Sequence, residues 1–557
     1  MKQVKRFVCL LALVCAAGWF FLRPAQHIPA GEAAPAMEGY YSGARADTVN
    51  AAGFTLIVNG TSYRSAALED DRLQTVDMYM SQDMHLMVDT TWVPRLFGGQ
   101  VMPDDSGGAR VNGVALEDVV EQNRETGTCA LDITAAAAAL GFDYAWQDDS
   151  AAAVCDEQQA EDILPEAFDL RQERELTPVR SQGNQGTCWA FAATAALESA
   201  SGRGADWSLS VDHMTMNNGF NIPYGAGGDY NMALAYLAGW KGPVLEADDP
   251  YGDGATDPQL SPVVHVQEAV MPAAGDLDRI KKYVMENGGV ESSLYLSISS
   301  QYDSNADYDP STYAYFYSGD MKPNHDVVIV GWDDHFPRTA FASQPSSDGA
   351  FLCRNSWGTD FADGGYFYVS YEDVNIGNTN ISYTRIDDTD NYDNIYQTDG
   401  LGWVGSVGYD RSEAWFANVY TADSPQTLKA VSFYATGADT CYHIYLVDDY
   451  TGTESLKDRI YLGSGRLGDA GYYTVDMAKD ISLQAGKDYA VVIDMDTSGA
   501  SYPIAIEYQA SDLTQTADIS DGRGLISPDG SSWSFAEEEY QCNVCLKAFT
   551  DERNEQE

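Results

Sequence analysis

The chain has 557 residues, 44% of them apolar, with 35 tyrosines and a formal net charge of −52 at pH 7. That length exceeds one ordinary core and implies about three or four domains, and the apolar content excludes an intrinsically disordered chain. So acidic a surface excludes nucleic acid and anionic membrane as partners and favours a soluble, well-hydrated protein, without indicating a reaction.

Lys2, Lys5 and Arg6 precede the apolar run "FVCLLALVCAAGWFFL", residues 7–22. Residues 1–22 therefore read as a secretory signal. Arg23 follows at once and no small-x-small site stands before Ala34-Pro35-Ala36, so an uncleaved signal anchor is the alternative. Either reading places the chain outside the cell, secreted or on the outer face of the membrane or wall. Residues 23–49, opening "RPAQHIPAGEAAPAMEG", read as a Pro- and Ala-rich tether. With Cys9 and Cys15 in the signal, seven cysteines remain, a number that suits one free thiol plus pairs. Cys129 with Cys155, and Cys441 with Cys542 or Cys545, are the candidate pairs. Cys542-x-x-Cys545 has no second ligand pair at metal spacing, so no structural zinc is expected.

Residues 50–157 form a small α+β region. "AAGFTLIVNGTSYR" is a strand that closes on an Asn59-Gly60 hairpin turn. "LDITAAAAALGFDYAWQDDSAAAVC" gives a helix, a stop at Gly141, a strand, a turn at Asp148-Asp149 and another strand. From 162 to 387 helices and strands mix. "SQGNQGTCWAFAATAALESA", residues 181–200, starts a helix at Cys188, carries Ala190, Phe191, Ala195, Ala196 and Leu197 as its apolar face, and stops at Gly202. "DLDRIKKYVMENGG" is a helix opened by Asp276 and closed by Gly288, and "HDVVIVGW", "AFLCRNSW" and "GGYFYVSY" are strands. The acidic join "RIDDTDNYDN", residues 385–394, lacks the glycine and glutamate spacing of a calcium loop and reads as a solvated linker. Across 395–550, "AWFANVYTA", "LKAVSFYAT", "YHIYLV", "YYTVDM", "DYAVVIDM" and "YPIAIEY" are the strands of an all-β sandwich.

Cysteine at a helix start meets unpaired N–H groups and the positive end of the helix dipole, which favour the reactive thiolate, so Cys188 is expected to ionise easily. A thiolate nucleophile also needs a base, and the base an orienting partner. Of the seven histidines only His325, opening "NHDVVIVGWDD" 137 residues after Cys188, sits at the mouth of a buried strand. Asn355 in "RNSWG" offers a side-chain carbonyl to the second imidazole N–H, and Trp357 can shield that bond from water. Gln182 and the Cys188 backbone N–H supply two donors for the oxyanion of a tetrahedral intermediate.

Taken together and in order, "LPEAFDLRQERELTPVRSQGNQGTCWAFA", "GGDYNMALAYLAGWKGPV", "NHDVVIVGWDD" and "CRNSWGTDFADGGYFYVSYED" resemble papain-like, cathepsin-type cysteine peptidases. The resemblance implies a two-lobed α+β domain, one lobe helical and the other β-barrel-like. It assigns the oxyanion role to Gln182, the nucleophile to Cys188, the base and later acid to His325 and the orienter to Asn355. Gly227-Gly228 match the family's backbone strip for extended substrate, bordered by Trp357. Asp229 and Asp326 flank the matched subsites and point to a basic residue near the scissile bond. Departures are Gln185 where the family has a second cysteine, Thr187 for a smaller residue, and the insertion "DDHFPRTAFASQPSSDGA".

The tail is similar to the lectin-like domain that follows such peptidases in secreted bacterial proteins, and the end of the 50–157 region resembles bacterial stalk domains of the copper amine oxidase N-terminal type. That region lacks the charged helical pattern of the papain pro-segment and serves as spacer or latency segment, with a maturation cut expected near Asp162 to Leu164. The expectation is an exported cysteine endopeptidase acting on protein or peptide, with no metal or organic cofactor and a surface glycan as a further partner of the tail. Its rivals are a catalytically silent adhesin on a peptidase scaffold and a cell-wall peptide amidase.

Overall fold

The computed structural model describes residues 41–42 and 53–553, apart from 67, 69–71, 82, 124–126, 148–149, 159–163 and 301–302. The signal or anchor, nearly all of the tether, the Asp148-Asp149 turn and most of the expected maturation site lie outside the described residues. Among the described residues no helix is long and apolar enough to cross a membrane.

The N-terminal region follows its local signals. Strands Thr55–Val58 and Thr61–Arg64 pair through Asn59 and Gly60, with φ of 47° and 77°. Positive φ at both central residues is what a tight type I′ hairpin needs. The helix Ile133–Leu140 is capped by Asp132, which accepts from the N–H of Ala135, and ends at Gly141 with φ 84°.

The middle segment divides into two lobes. Helices Cys188–Ser201, Val211–Asn217 and Tyr230–Ala238 pack one apolar core. Strands Val290–Leu294, His325–Asp333, Ala350–Arg354 and Tyr366–Ser370 pack another, covered by the helix Leu277–Glu286 through Ile280 and Val284. The helix beginning at Cys188 buries nearly every side chain, consistent with its alanine-rich and all-round apolar sequence.

All six strands read in the tail are present: Glu413–Thr421, Gln426–Ala435, Thr440–Val447, Ala470–Leu483, Asp488–Thr497 and Ile504–Tyr508. They enclose a sandwich core that includes Phe416, Phe433, Tyr442, Ile493 and Leu546. Two pairings join what local pattern separates. His265–Met271 pairs with Asn380–Asp387 on one side and Ala470–Leu483 on the other, making one thirteen-stranded sheet from the middle segment and the tail. Gln100–Pro103 pairs with Ile460–Leu467, so an N-terminal meander of three strands joins six strands of the tail in one nine-stranded sheet.

The cysteine expectation is corrected here. All seven described cysteines are buried free thiols. Cys129 and Cys155 lie on strands of different sheets, as do Cys441 and Cys542, and a disulfide needs Cβ atoms within about 4 Å. The fold is held by its apolar cores instead.

Candidate active site

Cys188 is the first residue of its helix, with Thr187 as the cap, and is 9% exposed. Thr187 carries no side-chain capping bond; its hydroxyl meets the Tyr251 hydroxyl at 2.8 Å, and Tyr251 in turn donates to the carbonyl of Gln182 at 3.0 Å. The Cys188 sulfur is approached by the backbone N–H groups of Asp326, Trp189 and Cys188 itself. The sulfur thus lies against the residue that follows His325.

Easy ionisation of this thiol is not what the site provides. Burial pushes the Cys188 thiol up to about 12, the Asp326 carboxylate adds to the rise, and the three N–H groups only reduce it. Helix-start stabilisation is real but smaller than the cost of removing an anion from water. His325, 7% exposed, is shifted the opposite way: burial lowers its imidazole to about 4, against the opposing pull of Asn355. Each group alone is neutral at pH 7.

His325 opens its strand, and its Nε2 lies 2.7 Å from Oδ1 of Asn355, which directly follows the neighbouring strand Ala350–Arg354. That Oδ1 also accepts from the Ser356 N–H at 2.7 Å, which fixes which end of the amide faces the ring. The Trp357 ring lies against the imidazole, centroids 5.3 Å apart, and packs edge-on to Phe361 at 5.0 Å.

Gln182 is tied to the same element. Its N–H donates to the Ser356 carbonyl at 2.8 Å, its Oε1 accepts from the Ser356 hydroxyl at 2.7 Å, and its Nε2 donates to the Gln185 carbonyl at 2.7 Å. The second Nε2 hydrogen remains for a ligand. Ser356 was not singled out by sequence reading, although it stands inside "RNSWG".

Gly228 explains the tryptophan behind the nucleophile. A Cβ there would lie 2.5 Å from Trp189 Nε1, so the buried Trp189 ring fills the space beside the glycine strip. A Cβ on Gly227 would meet nothing within 4 Å, which leaves that backbone open. Asp229 caps the helix Tyr230–Ala238 by accepting from the Asn231 N–H at 2.9 Å. Asp326 accepts from the Ser293 hydroxyl, and burial with the nearby Asp229 charge raises its carboxyl to about 6. Under them lies a third carboxyl that sequence reading missed. Glu291 is 3% exposed, neither oxygen has a hydrogen-bond partner, and burial plus the charges of Asp326 and Asp229 push it well above the carboxylate range. Strand alternation in "GGVESSL" puts Glu291 on the same face as Ser293 and is the signal that could have found it.

The remaining described histidines are structural. His85 meets Asp132, His213 meets Tyr236, His265 meets Asn391 and stacks on Trp240, His335 meets Glu166, and His443 meets Asp494. The structure therefore brings Gln182 to Asn355 and His325 through Ser356, sets Cys188 beside Asp326, and groups Asp229 with Asp326.

A two-lobed α+β domain with a helix-start cysteine, a His–Asn pair and a tethered glutamine defines a class. Residues 164–385 match the family model of the papain family cysteine proteases, and residues 395–550 match the lectin-like domain model. The chain thus carries a papain-family peptidase domain followed by a C-terminal lectin-like domain. Two solved structures of the cysteine protease Cwp84 are similar at 26% identity. One, taken after propeptide cleavage, has a TM-score of 0.62 and covers 70% of this chain and 99% of its own. The other, the protease and lectin-like domains of this surface layer associated protein of Clostridium difficile, has a TM-score of 0.60 and covers 70% and 89%. Cysteine proteinase 15A of Pisum sativum is 29% identical over 224 residues, covering 37% of this chain and 58% of its own. Cathepsin S of Mus musculus is 30% identical over 226 residues, covering 38% and 60%. The chain thus spans about three-fifths of the length of these curated relatives.

Proposed function

We propose that this chain is an exported cysteine endopeptidase that hydrolyses peptide bonds through Cys188, His325 and Asn355, with Gln182 at the oxyanion. The observation that carries the reading is the 2.7 Å His325–Asn355 bond standing one residue from the N–H that meets the Cys188 sulfur. Asn355 holds Nε2 and so leaves Nδ1 for the thiol proton.

In the reaction the proton passes from the sulfur to His325 as the sulfur attacks the peptide carbonyl carbon. Neither charge is stable alone in this site, so thiolate and imidazolium form together and stabilise one another. The carbonyl oxygen becomes an oxyanion between the Cys188 N–H and the free hydrogen of Gln182 Nε2. Collapse breaks the C–N bond while His325 gives its proton to the leaving amine. His325 then takes a proton from water, whose oxygen attacks the thioester; the carboxylic acid leaves and the thiol re-forms.

Substrate would lie extended along Gly227-Gly228 beside Trp357. Asp229 and Asp326 make a cation the matching side chain, which favours Arg or Lys near the cut. Export is supported by the apolar run of residues 7–22 and by the surface-layer association of the similar clostridial protein. The tail's lectin-like class makes a surface glycan its proposed second ligand.

An epoxide thiol-peptidase probe should label the protein and fail on Cys188→Ala. Casein should be cleaved and purified peptidoglycan spared. No labelling would support the silent scaffold, and peptidoglycan turnover the amidase. Equal rates on peptides with Arg or Leu two residues before the cut would remove the basic preference.

A further inference from the structure

The N-terminal region is seated on the lectin-like domain. Gln100–Pro103 adds itself to the free edge of Ile460–Leu467, with Val101 opposite Ser464 and Gln100 opposite Gly465. Strand addition of this kind gets its affinity from main-chain bonds and its specificity from pockets for alternate side chains. The pocket here is made by a missing side chain. A Cβ on Gly463 would stand 2.2 Å from the sulfur of Met102, and Met102 itself is buried in the sandwich core with Phe416, Leu462 and Ile493.

Polar groups on both sides are matched as well. The Ser464 hydroxyl donates to the Thr90 carbonyl at 2.9 Å, and Gln100 Nε2 donates to the Tyr442 hydroxyl at 3.0 Å. His443 Nε2 lies 3.1 Å from the Thr91 carbonyl, and Arg95 pairs with Asp496 at 3.0 Å. A second apolar core holds Leu96, Phe97 and Val101 together with Trp415, Tyr445 and Tyr461. Among the described residues neither main core of 164–385 includes a residue of 53–157.

We infer that residues 53–157 are a non-covalent subunit of the lectin-like domain, retained after hydrolysis of one peptide bond in the connection across residues 158–166. Maturation then cuts the chain without releasing the enzyme: whatever holds the N-terminal region also holds the peptidase. The interface uses buried apolar surface and shielded hydrogen bonds, which separate slowly once formed.

The test uses the full chain with a recognition site for a sequence-specific protease placed in that connection. After complete cutting, size-exclusion chromatography at about 1 μM should return both fragments in one peak at equal amounts, as a nanomolar complex does. Separate peaks would overturn the inference. Met102→Asp should release the N-terminal fragment after cutting, and persistence of its complex would refute this seam as the holding surface. As a milder check, Arg95→Glu should lower the retained fraction and Arg95→Glu with Asp496→Arg should restore it; equal retention in all three proteins counts against the seam. None of these readouts depends on peptidase activity, so the inference and the proposed function fail separately.

Discussion

The Ser356 hydroxyl donates to Oε1 of Gln182 at 2.7 Å, while the Ser356 N–H donates to Oδ1 of Asn355 at 2.7 Å. One serine thus holds Gln182, the proposed oxyanion donor, with its side chain and Asn355, the partner of His325, with its backbone. Ser356→Ala keeps the second bond and loses the first, leaving the Gln182 amide held by its bond to the Gln185 carbonyl alone. Its kcat should fall by roughly tenfold with KM little changed, against about 10²-fold for Gln182→Ala. The double variant should be no worse than Gln182→Ala; additive losses would separate the two residues.

The Asp326 carboxyl, raised to about 6 from 3.8, is a group whose folded state binds protons more tightly than the unfolded chain. Its favourable contribution is complete below pH 3.8 and disappears as pH rises through 6. At neutral pH the buried charge costs about 1–3 kcal/mol. Asp326→Asn should therefore raise the melting temperature at pH 7.5 and leave it nearly unchanged at pH 4. Equal shifts at both values would show that the carboxylate is not strained.

The same carboxylate raises the Cys188 thiol. Asp326→Asn should accelerate alkylation of Cys188 by iodoacetamide at pH 7 by several-fold, because a larger fraction is thiolate. His325→Ala should slow it by more than about tenfold if the thiol proton goes to that ring. Mass spectrometry of the residue-188 peptide over time reads both.

The two glycines of the strip should respond differently. Gly228→Ala forces a methyl to 2.5 Å from Trp189 Nε1 and should cost about 1–3 kcal/mol of stability as well as activity. Gly227→Ala meets no atom within 4 Å, so it should keep its melting temperature and raise KM by obstructing substrate. Thermal unfolding beside Michaelis–Menten kinetics distinguishes them.

Lys241 reaches from the peptidase domain to the tail, donating to the Asn218 carbonyl at 2.8 Å and the Gly400 carbonyl at 2.6 Å. Lys241→Met leaves both carbonyls without that donor in a buried joint and should cost about 1–3 kcal/mol. Calorimetry should show the peptidase and lectin-like transitions beginning to separate, whereas an unchanged single transition would mean the shared sheet alone couples them.

Local chemistry announced a good deal of this molecule. The helix from Cys188 to the left-handed Gly202, the Asn59-Gly60 hairpin, the Asp276 cap and all six tail strands follow from neighbours a few residues apart. The residue types of the site were equally visible, because a thiol, an imidazole and an amide can be read from spacing and context.

Other properties come from residues hundreds of positions apart. Burial of Cys188 beside Asp326 and the contacts of Ser356 with Gln182 and Asn355 have no local signature, and the lack of any partner for Glu291 has none either. Nor does the seating of Met102 at Gly463, or the strand His265–Met271 that fuses two sheets. Hydrophobic period and turn residues specify which face of a strand is buried, but any exposed edge offers the same row of N–H and C=O groups. Which edges meet, and therefore how much water each ionisable group loses, is settled by the packing of the whole chain.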